Sequence, residues 1–531
     1  MAATDGAPAA AQEAERRFSD RDRRRAALEE ASGTLIQTRR YPEAAALLEQ
    51  AGRQGGNAAE LLGRAETLRK ARRHEELSYP PSDPAGVVKG LLLLMGSDSV
   101  ESKAFLASFS RGLRDELDAD DDTRKAIEEV LSSFTSSMGD GEIPLDTVLD
   151  LGLGSLETSI SGDDDRGHRI VLTMLDQKME YYVVREEDGY RIAGSDQTLF
   201  ALGLEALRRL DRGDAAGARQ WLDWAREKIP AAGGDDPLAS SPFSTLWTRG
   251  AEASAEEARC AAASLVARLD LKGRTVPILV ACRDAAPEGP RRTALDLALV
   301  VSYLSAKRHA EAAEAARLLA AAHPDSARAY NLLSQELIAL KSWDEVRRLA
   351  EERLVKLPDD VDALQYLCEA AEQKNDIQAA DGYLQRIVDA GKANSVTFNN
   401  IAWHALFLGK ADERAVELAQ RAVTLDGYAN SFSLHTLASL YAEQGKTAEA
   451  YQLILQSLQA GSGELDGDDW YVFGRLAEHY GLPDAARRYY ARVEPVQPGQ
   501  TDSTSTYKLA HARLAGLPPE ARPAKPGRKG R

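Results

Sequence analysis

Six segments of this 531-residue chain share one register. The clearest is DDWYVFGRLAEHYGLPDAARRYYARV, from Asp468 to Val493. Trp470, Phe473 and Gly474 open a first helix, Gly481 closes it, and Ala486, Tyr490 and Val493 mark a second. Leu434, Leu437, Ala438, Tyr441, Gly445 and Ala450 repeat the pattern, as do Phe398, Ile401, Ala402, Gly409 and Ala415. Further copies are Leu364, Leu367, Cys368, Asn375 and Ala380; Tyr330, Leu333, Ser334, Leu337, Val346 and Pro358; and Asp296, Leu299, Val300, Tyr303, Ala312 and Pro324. The opening positions 296, 330, 364, 398, 434 and 470 lie 34, 34, 34, 36 and 36 residues apart. Residues three and four apart share one helix face. The small residue beside them and the Ala early in the second helix let two helices cross closely. A Gly, Asn or Lys between the helices suits a tight corner. Such a hairpin buries its apolar face only against its neighbours, so the chain must be mainly α, a solenoid of stacked hairpins.

This register resembles the tetratricopeptide repeat, over Arg291 to roughly Gly516, about two-fifths of the chain. The resemblance implies a right-handed α-solenoid of six units at 291–516 that presents a concave groove to a protein partner and carries no catalysis. Residue by residue, it places Asn331, Gln335, Gln365, Glu369, Asn399, Trp403, Leu406, His435, Ser439, Tyr471 and Arg475 along that groove. Asn and Gln both donate to and accept from a peptide backbone. Trp403 and Tyr471 are the aromatic anchors of a binding surface. Members that clamp a C-terminal carboxylate use a set of Lys and Arg at these places. Only Arg475 is basic here, so an extended or helical internal segment fits better.

Degenerate copies precede the array. Leu202 to Pro230 has Gly213 at a turn and Ala218 at a crossing, and Leu28 to Ala51 places Tyr41 and Ala44 likewise. Residues 18–83 thus read as helical hairpins, and 196–290 as repeat-like helices joined through the Pro/Ser-rich stretch 235–247. Between them, 84–195 has a different period. Pro84–Leu117 and Asp122–Ser136 read as helices; HRIVLTML, MEYYVVRE and GYRIAGS read as strands, with Asp188-Gly189 signalling a tight hairpin. This α+β domain with a small antiparallel sheet resembles, over its last thirty or so residues, the nuclear-transport-factor-like cone fold. That resemblance implies an apolar pocket behind Val171, Tyr182, Val184 and Ile192, which would make the chain a small-molecule sensor with the repeats as a recruiting arm. The Ala-rich residues 1–17 and the basic Pro/Gly-rich tail 517–531 read as disordered.

Composition removes several function classes. The net charge of −17 opposes wholesale nucleic-acid binding. Cys260, Cys282 and Cys368 have no metal-ligand spacing, which argues against a disulfide framework and a structural zinc site. Val87–Met95 is too short to span a membrane. There is no phosphate-binding loop, and Gly152–Glu157 fits neither a nucleophile elbow nor a dinucleotide fingerprint. Asp163, Asp164 and Asp165 beside His168 read as a solvated turn rather than a calcium loop. His404 and His435, in adjacent units, occupy different helical positions and do not share a metal. Trp221, Trp224 and Trp343 read as core. An enzyme would have to draw on Asp176 and Tyr190, and self-association on an exposed apolar helix after Tyr507. No catalytic residue, cofactor or metal is expected. The partner is a protein or peptide, with self-association as a further reading. Residues 1–17 lack a secretory signal, so the expected location is the cytoplasm, or outside it after removal of an earlier signal.

Overall fold

The computed structural model describes residues 2–95, 102–117, 145–174, 177–230, 238–248, 253–461, 463, 465–497 and 501–518. The helices expected at 122–136, the candidate Asp176 and most of the basic tail lie outside them. The chain divides into two compact units, Met1–Ala329 and Tyr330–Arg531, the second starting at the opening residue of the second repeat.

In the first unit, α1 (Ala2–Arg17), α2 (Arg21–Gln37), α3 (Tyr41–Gly52) and α4 (Ala58–Lys70) share one core. Ala2–Arg17, expected to be disordered, are therefore helical on either side of a kink at Gly6, whose φ is 80°. Their low-complexity composition hides a stripe, because Ala7, Ala10, Ala11 and Ala14 fall on one face and pack with Leu35, Leu47 and Leu48. Tyr41 and Ala44 are buried in the degenerate hairpin α2–α3.

Next come α5 (Pro84–Met95), α6 (Ser102–Ala107), α7 (Arg111–Leu117) and α8 (Leu145–Gly154), then β1 (Glu157–Asp163), β2 (Gly167–Met174), β3 (Gln177–Glu186) and β4 (Gly189–Ser195). The strands form an antiparallel sheet in sequence order. Strand β1 is additional to the three expected; its sequence ETSISGD is a mostly exposed edge with no buried alternation to reveal it. The aspartate run is the β1–β2 turn. Asp164 accepts hydrogen bonds from Tyr190 Oη (2.5 Å) and Arg185 (2.7 Å), with the His168 ring 2.9 Å away. The β3–β4 turn falls one residue earlier than the Asp-Gly signal, since Glu186 pairs with Gly189 and only Gly189 takes a positive φ.

Both sheet faces are covered. Ile170, Leu172, Val183 and Ile192 pack with Val88 and Leu91 of α5. Tyr182 and Val184 pack with Leu202 and Trp221 of the next hairpin, α9 (Leu199–Asp211) and α10 (Ala215–Lys228). Three of the four residues expected to wall a ligand pocket are thus buried in side-chain cores; the fourth, Val171, is half-buried. The stretch expected to be a flexible connection contains α11 (Pro242–Leu246), anchored by buried Phe243, Leu246 and Trp247. After it come α12 (Ala255–Val266) and α13 (Val276–Ala285). Cys260 and Cys282 form a disulfide between them, a single bond where the sequence argued against a disulfide framework. Their separation of 22 residues resembles no motif, and only the packing of α12 on α13 brings them together. The first regular repeat, α14 (Pro290–Ser305) and α15 (His309–Ala322), ends the unit.

The remaining repeats are the helix pairs α16 (Ala327–Ala339) and α17 (Trp343–Lys356); α18 (Val361–Gln373) and α19 (Ile377–Asp389); α20 (Ser395–Phe407) and α21 (Glu413–Leu425); α22 (Ser431–Glu443) and α23 (Thr447–Ala460); and α24 (Gly467–His479) and α25 (Pro483–Tyr490). A last helix, α26 (Thr506–Gly516), follows. Each corner turns on one left-handed residue: Lys307, Lys341, Asn375, Gly409, Gly445 and Gly481 all have φ between 55° and 74°. These residues keep the spacing of the opening positions. The crossing residues Ala312, Val346, Ala380, Ala415, Ala450 and Ala486 are all buried. At Gly474 a Cβ would lie 2.3 Å from the ring of Tyr490 on α25.

Gly474→Ala is expected to destabilise the protein by about 1–3 kcal/mol through overpacking. Gly382→Ala, on a helical surface with open space around it, is expected to stabilise by about 0.5–1 kcal/mol. Paired denaturant melts read both signs. Thiol titration of the denatured, unreduced chain is expected to give one thiol, that of Cys368, and three after reduction.

Candidate functional site

The first helices of successive repeats form the wall on which the expected groove residues sit. Asn331 donates through Nδ2 to Asp362 (2.8 Å) and accepts from Tyr366 Oη (3.4 Å), so it ties one repeat to the next. Gln335 is exposed, and Gln365 and Glu369 are half-buried. Asn399, Trp403 and His435 come together. With Phe432 and Asp468 they line a cavity of about 440 Å³. The Trp403 and His435 rings lie 5.6 Å apart, and His435 Nε2 is 3.6 Å from Asp469.

The other four residues are inside the wall. Leu406 packs with Leu434 and Leu437, and Ser439 is fully buried. Tyr471 donates to Glu443 Oε1 at 2.5 Å. Arg475, only 5% exposed, pairs through Nε with the same oxygen at 2.8 Å and through Nη1 with Glu478. Burial and the Glu443 carboxylate push the Tyr471 hydroxyl well above the usual phenol range. A cation buried between two carboxylates is turned away from the groove, so Arg475 is a brace between repeats. The periodic pattern gives its helical position but not this pairing.

The wall also carries an occupant that the sequence pattern does not reveal. Residues 501–505 run along it as a strap leading into α26. Thr501 donates to the carbonyl of Glu372 at 3.0 Å. The indole N–H of Trp403 donates to the carbonyl of Thr504 at 3.1 Å. Thr506 donates through its hydroxyl to Asp468, and Ser505 caps α26 by accepting from the amide of Tyr507. Arg513 then pairs with Glu443 at 3.0 Å. Thr506 and Ala510 are fully buried, and Leu509 and Leu514 pack on the last repeat. The helix after Tyr507, expected to offer an exposed apolar face for self-association, therefore turns that face onto its own chain. TDSTST reads as a linker because each of its side chains is small and polar; its anchors lie as far as 129 residues upstream.

The 34-residue rhythm, the left-handed corners and the buried crossing residues are now all in place. With them the hairpins resemble tetratricopeptide repeats. No family model and no curated protein matches the chain. Among solved structures, it is similar to YrrB, a tetratricopeptide-repeat protein with an unusual peptide-binding site (15% identity, 39% of this chain and 100% of that one, TM-score 0.30). It is also similar to a tetratricopeptide-repeat protein from Parabacteroides merdae (12% identity, 60% and 98%, TM-score 0.32) and to Pseudomonas aeruginosa pilF (17% identity, 44% and 99%, TM-score 0.32). Likeness at this level carries no argument about partners. The resemblance to the tetratricopeptide repeat lies in this chain's own register and corners.

Trp403→Phe keeps an aromatic ring but removes the donor to Thr504. A lost hydrogen bond is worth about 1 kcal/mol, or roughly fivefold in local opening. Amide exchange of residues 501–505 is expected to quicken by that factor, while exchange in α20 and α22 stays unchanged.

Proposed function

We propose that the chain is a non-enzymatic protein-interaction scaffold, and that the first-helix wall of its second unit binds an extended segment of a partner protein. The observation that carries this reading is the strap. A stretch of the chain itself lies there, recognised through a main-chain carbonyl by Trp403 and through hydroxyls by Glu372 and Asp468. Recognition of that kind accepts any extended segment with small hydroxylic side chains at the right spacing. Asn399, Trp403, His435 and Asp468 are the residues assigned to it. Gln335, Gln365 and Glu369 extend the same face, whereas Leu406, Ser439, Tyr471 and Arg475 support it from within. The half-exposed cavity between Trp403 and Phe432 supplies room for one side chain beside the strap. Among the described residues no helix is long and apolar enough to cross a membrane. The Cys260–Cys282 bond favours the exported location, because thiols are kept reduced in most cytosols.

The strap and a partner compete for one surface, which gives the reading two opposed tests. A library of extended peptides is displayed against the full chain. Peptides retained by the native protein are expected to be rich in Ser, Thr and Asp, and to be lost from Trp403→Ala. Thr501→Val with Thr506→Val removes two strap anchors and is expected to tighten peptide binding by about fivefold or more, as the binding-competent fraction rises. Peptide binding that is equal in the native and Trp403→Ala proteins would overturn the assignment of this face.

A further inference from the structure

Cys368 and Glu372 are four residues apart on α18 and therefore share one face. His404, on α20 of the next repeat, points to the same place. Its Nε2 lies 3.0 Å from Glu372 Oε1, and Cys368 Sγ lies 3.3 Å from the same oxygen. One ligand atom from each of the three residues falls within 4.8 Å of the other two. Cys368 and His404 are buried, at 3% and 1% exposure, while Glu372 reaches the surface.

Zinc bound to sulfur at about 2.3 Å, and to nitrogen and oxygen at about 2.0–2.2 Å, sets its ligands about 3.4–3.6 Å apart in a tetrahedron. The two shortest separations here differ from that by about half an ångström or less. A sulfur, an imidazole nitrogen and a carboxylate oxygen form a donor set suited to zinc-like ions.

Among the charged groups that bear most on the Cys368 sulfur are the carboxylates of Glu372, Asp381 and Glu369. The contrast is the cluster of His74, Glu75 and Asp150 in the first unit, which has similar ligand types but already holds a cation: Arg39 contacts Asp150 at 2.7 and 2.8 Å and also pairs with Glu75.

We propose that Cys368 Sγ, a carboxylate oxygen of Glu372 and the imidazole of His404 bind one divalent zinc-like ion between the third and fourth repeats, with a fourth position open to water. On binding, the Cys368 thiol releases its proton to solvent and coordinates as thiolate. The His404 Nδ1 has no protein acceptor. Since a missing outer partner typically weakens a metal site ten- to a hundredfold, the ion is exchangeable rather than permanent. The spacing of 4 and 32 residues across two repeats is why no cysteine motif marks the site.

The test is cobalt(II) titration of the full, unreduced chain. Cys260 and Cys282 are tied to each other, so a thiolate-to-cobalt charge-transfer band reports Cys368 alone. The expected result is such a band saturating at one equivalent, abolished by zinc and absent from Cys368→Ser. Glu372→Gln and His404→Ala are expected to weaken the metal at least about tenfold, each checked for native circular dichroism. Cobalt bound without a charge-transfer band, or a band that survives in Cys368→Ser, overturns the proposal. The native-chain titration decides the matter even if a variant fails to fold.

Discussion

The close crossing of the two helices in each hairpin is the constraint on which the second unit depends. Ala380, Ala415, Ala450 and Ala486 let the helices meet backbone to backbone, and Gly474 goes further, leaving no room for a methyl group against Tyr490. That contact fixes the direction of the second helix, and the single left-handed residue at the corner fixes the rotation between the two. With hairpin geometry set by these few positions, the first helices fall in sequence along one wall. Larger side chains then decorate the wall without altering it. Trp403 projects from it because the crossing is made elsewhere on its helix.

Within the unit the wall has two distinct chemistries. Around Tyr471, Arg475 and Glu443 it is closed: charge meets charge in a buried brace, and Arg513 of the last helix joins the outside of it. Around Trp403 and His435 it is open enough to hold a length of backbone and leave a cavity beside it. The strap joins the two regions. It is anchored at its ends by Glu372 and Asp468 and held in its middle by one indole N–H. It is held by few contacts and small side chains, features of segments that open locally.

The legible parts of the molecule are those in which one residue determines local geometry. Lys341 and Asn375 stand at corners where a glycine is more usual, yet both take the left-handed conformation that their place in the period demands. The crossing alanines and the hairpins at Tyr41 and Gly213 were legible in the same way. Where a feature depends on residues far apart in sequence, no local signal exists. The Cys260–Cys282 bond, the Arg475 brace and the anchoring of Thr501 belong to that class. The polar edge strand β1 was hidden for another reason: with neither face deeply buried, it has no hydrophobic alternation. The helix at Ala2–Arg17 was concealed by composition, since an alanine stripe offers little hydrophobic contrast even when it packs.

The position of the strap in the chain has a consequence for biosynthesis. Synthesis and folding proceed from the N-terminus, and domains close as they emerge. Every anchor of the strap, from Glu372 to Asp468, precedes it. The wall can therefore assemble before its own occupant has left the ribosome, and for that interval its surface is open. Under the proposed function, a partner present during translation would meet a vacant groove, whereas one that arrives later would have to displace the strap.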